Sequence, residues 1–308
     1  MPVTLRARCI GSLALKALAA QDSAASGQVL STFPNSFYTK TGKDELVFFT
    51  NRALRSPISV NLDATNDLEH LVKPLESLRV RGKEIRIGTD VVVELNAASL
   101  YQDRIEPVSE HGSGFTRIGP SLRVASWMLG IIETSQSVLD PHALPHSRIV
   151  EFVSDGVMPL RSPGTEGRFL DAALKIVGLG LGFTPSGDDT LGGFLATYNL
   201  FARTIGRAPI ILNARLLEER TTWISARLLD YMQRLILDEQ LQRLIESANS
   251  GDQDALVIAL ETLLPRGHTS GIDIAVGAIL GLSLIRDVIL KKEETEIIAR
   301  TLGLSDLA

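Results

Sequence analysis

The sequence predicts an α+β protein, with a small antiparallel β domain carrying an N-terminal helix (residues 1–118) followed by an all-α domain (residues 119–308). Three observations predict it. Before residue 118, short runs rich in Val, Ile, Phe and Tyr alternate with turn residues, and those side chains suit a half-buried pleated surface. After residue 118, apolar residues recur at spacings of three and four, the period of a helix. A chain of 308 residues, 44% of them apolar, can bury about three quarters of its extended surface, enough for one large domain or two ordinary ones. Strands first and helices after is the segregation of an α+β fold.

Taken in order, residues 1–20 carry Arg6, Arg8 and an apolar run from 13 to 20. Lys16 interrupts that run and Gln21-Asp22 follow it, which predicts an N-terminal helix and not a signal peptide. Strand-like runs follow at 28–32, 37–39, 45–50, 58–62, 84–87 and 91–95. Thr41-Gly42 and Gly88-Thr89-Asp90 sit between runs as hairpin connections would, while residues 64–80 fit neither period. Helical spacing then appears at 122–134, 148–153, 167–177, 189–204, 208–237, 240–247, 254–264, 272–290 and 293–302. Breaks fall at Pro141, Pro145, Ser162-Pro163-Gly164, Gly206, Ser250-Gly251 and Pro265.

Composition excludes several classes of function. The single cysteine, Cys9, leaves no disulfide partner and no Cys-based zinc site, and fits a reducing compartment. A net charge of −5 without a stripe of Lys and Arg argues against nucleic acid as a partner. The most apolar window, 272–290, contains Asp273 and Arg286, so a buried core helix is expected there and no membrane span. A cytoplasmic protein is the expectation. His142 and His146 are spaced as on one helix face, but Pro145 intervenes, and His70 and His111 have no ligand pattern beside them.

The chemistry concentrates in residues 178–193, Gly-Leu-Gly-Leu-Gly-Phe-Thr-Pro-Ser-Gly-Asp-Asp-Thr-Leu-Gly-Gly. Gly178, Gly180 and Gly182 allow backbone conformations closed to other residues and close approach to a ligand. Thr184 or Ser186 offers a cap, and Asp189 stands three residues beyond Ser186 as in a capping box, leaving Asp188 for a ligand. A glycine loop feeding a helix start is a site for a small anion, although the lysine of a Walker loop is absent. Ser186-Gly187-Asp188-Asp189-Thr190-Leu191-Gly192-Gly193 can be laid on Ser270-Gly271-Ile272-Asp273-Ile274-Ala275-Val276-Gly277, sharing Ser-Gly-x-Asp-x-x-x-Gly. That echo predicts two helices packed at their glycines with their N-termini side by side. Arg266, His268 and Thr269 precede the second start, and Thr222 and Ser225 add hydroxyls in an apolar helix. Arg266 can fork onto a carboxylate or phosphate, and His268 can polarise a carbonyl.

The glycine-rich segment, followed later by Gly-His-Thr-Ser-Gly-Ile-Asp at 267–273, resembles the AllH family. Its namesake is a subunit of oxamate carbamoyltransferase in anaerobic allantoin catabolism. The likeness extends loosely to Thr222 and Ser225 and to Ser31-Thr32-Phe33, and departs from a frequent Gly-Pro-Gly at Gly180-Leu181-Gly182. The resemblance implies carbamoyl transfer between phosphate and oxamate, in a complex with other subunits.

In that reading Gly180, Gly182, Thr184, Ser186, Gly187, Thr222, Ser225, Thr269, Ser270 and Gly271 line the substrate. Arg266 holds an anionic group, His268 bonds the carbamoyl oxygen, and Asp188, Asp189 and Asp273 serve catalysis. No cofactor is needed. Two alternatives stay open on the same residues. One is a hydrolase using Mg²⁺ or Mn²⁺ on Asp188, Asp189 and Asp273. The other is a non-catalytic binding or assembly subunit.

Overall fold

The computed structural model describes residues 2–20, 27–65, 67–102, 105, 114–132 and 135–305; His111 lies outside them. The chain divides into two compact units, residues 1–104 and 105–308.

The first unit is a closed barrel. Its elements are β1 (Val3–Gly11), α1 (Ser12–Ala19), β2 (Gly27–Phe33), β3 (Ser36–Lys40), β4 (Leu46–Thr50), β5 (Ser59–Asp63), α2 (Leu68–Leu71), β6 (Ser77–Arg81), β7 (Glu84–Ile87), β8 (Val91–Glu94) and β9 (Ser99–Tyr101). Eight strands run β5-β4-β3-β2-β6-β7-β8-β1, and β1 pairs back onto β5 to close the ring, with β9 beside β1. Pairings β1–β8, β1–β9 and β4–β5 are parallel and the others antiparallel.

This corrects the expectation of a small antiparallel domain, although the α+β class holds. The missing pieces were β6 (Ser77–Arg81), most of which falls in the stretch 64–80 left unassigned, and β1, which lies where an N-terminal helix was expected. Thr4, Arg6 and Arg8 face out while Leu5, Ala7 and Cys9 are buried, an alternation of period two. The apolar run that suggested a helix is α1, which begins only at Ser12 and adds Ala14 and Leu18 to the barrel core. Register shifts between Ala7 and Cys9 and between Val29 and Ser31 bend two strands, as closure requires. Phe37 and Phe49 stack in that core at 4.6 Å between ring centroids.

The second unit is helical. It contains α3 (Gly114–Gly130), α4 (Leu144–Phe152), α5 (Glu166–Ile176), α6 (Ser186–Phe201), α7 (Ala214–Glu218), α8 (Trp223–Gln233), α9 (Glu239–Ser250), α10 (Gln253–Leu263), α11 (Ser270–Leu290) and α12 (Glu294–Thr301). The single helix expected over 208–237 is two helices after an extended segment. Asn213 caps α7 and Thr222 caps α8. Buried Asn199 and Gln233 hold the extended segment as a neighbouring strand would: Asn199 exchanges bonds with Ile210 at 2.8 Å, and Gln233 bonds Leu212 on both sides.

Helices α6 and α11 form the centre. Every residue of α6 is buried, as are Gly271 to Asp287 of α11. Their contact is reciprocal. A Cβ on Gly193 would collide with the Ile274 carbonyl oxygen, and one on Gly277 with the Thr190 carbonyl oxygen. Each helix is also the second arm of a hairpin. Gly187 lies against the Ile176 carbonyl at the end of α5, and Gly271 against the Leu263 carbonyl at the end of α10. The Gly187 amide bonds Leu179 O at 2.9 Å, and the Gly271 amide bonds Arg266 O at 3.0 Å. Among the described residues, no helix is long and apolar enough to cross a membrane.

Candidate functional site

The starts of α6 and α11 meet, as the repeated motif predicts. Thr184 Oγ1 lies 3.0 Å from Ser270 Oγ, and Ser186 Oγ lies 3.5 Å from Thr269 Oγ1. Thr184 also donates to Asp189 Oδ2 at 3.0 Å. Across the gap, Asp273 Oδ1 accepts from Ser137 Oγ at 2.8 Å and from the Val138 amide at 3.0 Å, while its Oδ2 carries no hydrogen bond. Ser186 Oγ donates to Gln136 O at 3.3 Å, so residues 136–138 touch both helix starts.

Burial governs the charges in this cluster. It is the main reason that Asp189 is pushed up to about 8; the Asp273 charge acts in the same direction, and the Ser270 and Thr184 hydroxyls and the Arg266 charge pull the other way. Asp273 is raised by burial too, against the bonds from Val138 and Ser137 and the nearby Ser186 and Thr269 hydroxyls. Near neutral pH Asp189 is therefore a carboxylic acid able to donate a proton. The amides at both starts are engaged locally: those of Asp188 and Asp189 on Pro185 O, those of Ile272 and Asp273 on Thr269 O. What the cluster offers a ligand is hydroxyl and carboxyl groups near two positive dipole ends.

Asp188 faces elsewhere. Its Oδ1 accepts from the Gly178 amide at 2.7 Å, and its Oδ2 from Ser225 Oγ at 2.6 Å and from Thr221 Oγ1. Burial raises its pKa, and the Ser225, Thr221 and Gly178 bonds lower it. Thr222 caps α8 and donates to Phe183 O at 3.0 Å. Three glycines of the loop have positive φ, and a Cβ on Gly178 would strike the Arg220 carbonyl. The loop is thus bound to α8 at both ends.

Both motifs and the loop between them now share one neighbourhood, and this stretch of chain has a counterpart among known families. Residues 176–282 match the family described as oxamate carbamoyltransferase subunit AllH. No curated protein and no solved structure matches the chain.

The resemblance read from the glycine-rich and Gly-His-Thr-Ser-Gly-Ile-Asp motifs is borne out over that AllH-matched span. Within it Thr184, Ser186, Asp189, Thr269, Ser270 and Asp273 are gathered. Asp188 and Ser225 form a second cluster with Thr221. The capping box is absent: Pro185 is the N-cap residue and no side chain caps α6. Asp188, which the sequence leaves for a ligand, ties the loop to α8. Arg266 pairs with Asp238, the N-cap of α9, and its charge reaches Asp189. Gly180 lies against the Ser186 amide, Gly182 is exposed, and His268 is exposed on the turn before α11.

Among the described residues, the three-residue group of His, Asp or Glu with ligand atoms within 4.8 Å of one another is Asp67, Glu69 and His70, not Asp188, Asp189 and Asp273. The first group lies in the barrel unit, where the sequence shows no ligand pattern around His70. Sequence reasoning also missed Ser137, Val138, Thr221 and Asp238. Only Thr221, adjacent to Thr222, carries a signal that a motif could have supplied.

Proposed function

We propose that this chain is an AllH-type subunit that binds the carbamoyl-transfer substrates at the meeting of α6 and α11. One observation supports this above the others: hydroxyl contacts between Thr184 and Ser270 and between Ser186 and Thr269 join the two motifs of the matched segment around Asp189 and Asp273. In the reaction, the oxamate nitrogen bonds to the carbamoyl carbon as the carbon–oxygen bond to phosphate breaks, the phosphate leaving with that electron pair and taking up the proton that the nitrogen loses. The hydroxyls of Thr184, Ser186, Thr269 and Ser270 bind phosphate or carboxylate oxygens, and Arg266 supplies the compensating charge. Asp189, in its acid form, donates to the carbamoyl oxygen as negative charge builds there.

Differential scanning fluorimetry of the chain with phosphate, carbamoyl phosphate, oxamate and Mg²⁺ tests the reading. A ligand that binds the folded state raises the midpoint, by about 2.7 kcal/mol of stability at a hundred times its Kd. Carbamoyl phosphate and oxamate are expected to raise it. A response to Mg²⁺ alone would defeat the proposal. Binding without turnover by the isolated chain would make it a binding subunit of a larger enzyme.

A further inference from the structure

The two oxygens of Asp273 are treated differently by the fold. Oδ1 holds two donors, from Ser137 and Val138, whereas Oδ2 is buried with none. The side chain is wholly buried, and a bare carboxylate oxygen in such a place marks where a donor belongs. The cluster at the helix starts adjoins this carboxyl: the Ser186 and Thr269 hydroxyls stand near it, and Asp189 on the other helix senses its charge. Thr184, Thr269 and Ser270 are half-buried and form the solvent side of the group.

Resting on the functional reading above, we propose that Asp273 Oδ2 reads an N–H₂ group of the ligand while Asp189 bonds the adjacent carbonyl oxygen, so that the pair selects a carbamoyl or carboxamide group over its methyl isostere. The chemistry of the surroundings narrows the donor. Two helix N-termini converge here, and their positive ends disfavour a cation, which leaves a neutral N–H as the fitting partner. A primary amide presents a donor and an acceptor side by side. A carboxyl oxygen that accepts and a carboxylic acid that donates are their complements. Replacing NH₂ by CH₃ keeps the shape but leaves Oδ2 bare, and a site built to bond an N–H rejects the analogue that lacks it.

Two pairs of compounds differ by that one exchange: carbamoyl phosphate against acetyl phosphate, and oxamate against pyruvate. Calorimetric titration of the full chain should show the amide member of at least one pair binding ten or more times tighter, and the pair that discriminates tells which substrate carries the amide. In Asp273→Asn the amide oxygen can keep the Ser137 and Val138 bonds while its N–H₂ replaces Oδ2. Affinity for the amide member should then fall tenfold or more, with the methyl member changed less than threefold. A second reading needs no variant: the N–H protons of the ¹⁵N-labelled amide ligand bound to the native chain should show nuclear Overhauser contacts with Ser186 and Thr269. Equal affinities within both pairs, a ratio that survives Asp273→Asn, or missing contacts would overturn the inference and leave the functional reading standing. If none of the four compounds binds, the functional reading fails together with it.

Discussion

Asp188 and Asp189 are adjacent, both buried, and turned to different neighbours. The chain sequence cannot rank them, because one helical step of rotation decides which side chain meets α8 and which meets α11. Three donors converge on Asp188, from Gly178, Thr221 and Ser225. Asp188→Ala leaves one buried and two partly buried donors without their acceptor, and at ~1 kcal/mol each a urea midpoint should show a loss of about 3 kcal/mol. Asp188→Asn should fall between that variant and the native chain, since hydroxyls can rotate to accept from an amide. A native-like midpoint for Asp188→Ala would show that the loop is held by other means.

Asp189 makes a different prediction. Burial lifts it from 3.8 to about 8, so between those values the folded state keeps a proton that the unfolded chain has released. Stability therefore falls as pH rises from about 4 to about 8 and levels off above. Asp189→Asn has no proton to lose. It should exceed the native chain in stability at pH 9 by ~1 kcal/mol or more, with the gap closing toward pH 5, as calorimetry across that range would record. A gap that is constant with pH would mean that Asp189 titrates normally.

At the scale of elements, the repeated Ser-Gly-x-Asp-x-x-x-Gly pattern was the most legible feature of the chain. A glycine at helical spacing from a polar start says that another backbone comes close, and two such helices satisfy one another. The reciprocal placement of Gly193 on Ile274 and Gly277 on Thr190 is that reading made physical. The clamp by Asn199 and Gln233 was not legible, because a buried amide on a helix gives no sign of the segment it will hold. Gly277→Ala places a methyl against backbone atoms of Thr190 and Phe194 that cannot move aside. The loss should reach ~3 kcal/mol, at or beyond the upper end of ordinary overpacking. Gly167 in α5 has open space around its Cβ position, so Gly167→Ala should stabilise by ~0.5–1 kcal/mol. Equal midpoints for the two variants would refute the close approach of α6 and α11.

At the scale of the molecule, the α+β division was legible and the barrel was not. Six of the strand-like runs coincide with β2, β3, β4, β5, β7 and β8. Closure depends on β1, whose alternation is short and borders a stronger helical run, and on pairing with β5 across some fifty residues of chain. Local periodicity carries no information on such a pairing. The residues from Gly178 to Asp189 and from Arg266 to Asp273 all belong to the unit 105–308. A ligand at the helix starts should therefore slow amide exchange in those two stretches and in 136–138, whose Gln136 carbonyl and Val138 amide bond the starts directly. Peptides from β1 to β9 should exchange at unchanged rates. Hydrogen–deuterium exchange with carbamoyl phosphate and with oxamate makes this measurement on the whole chain. Protection centred on barrel peptides, with 178–189 and 266–273 unaffected, would move the binding site out of the helical unit and with it the role given to Asp189 and Asp273.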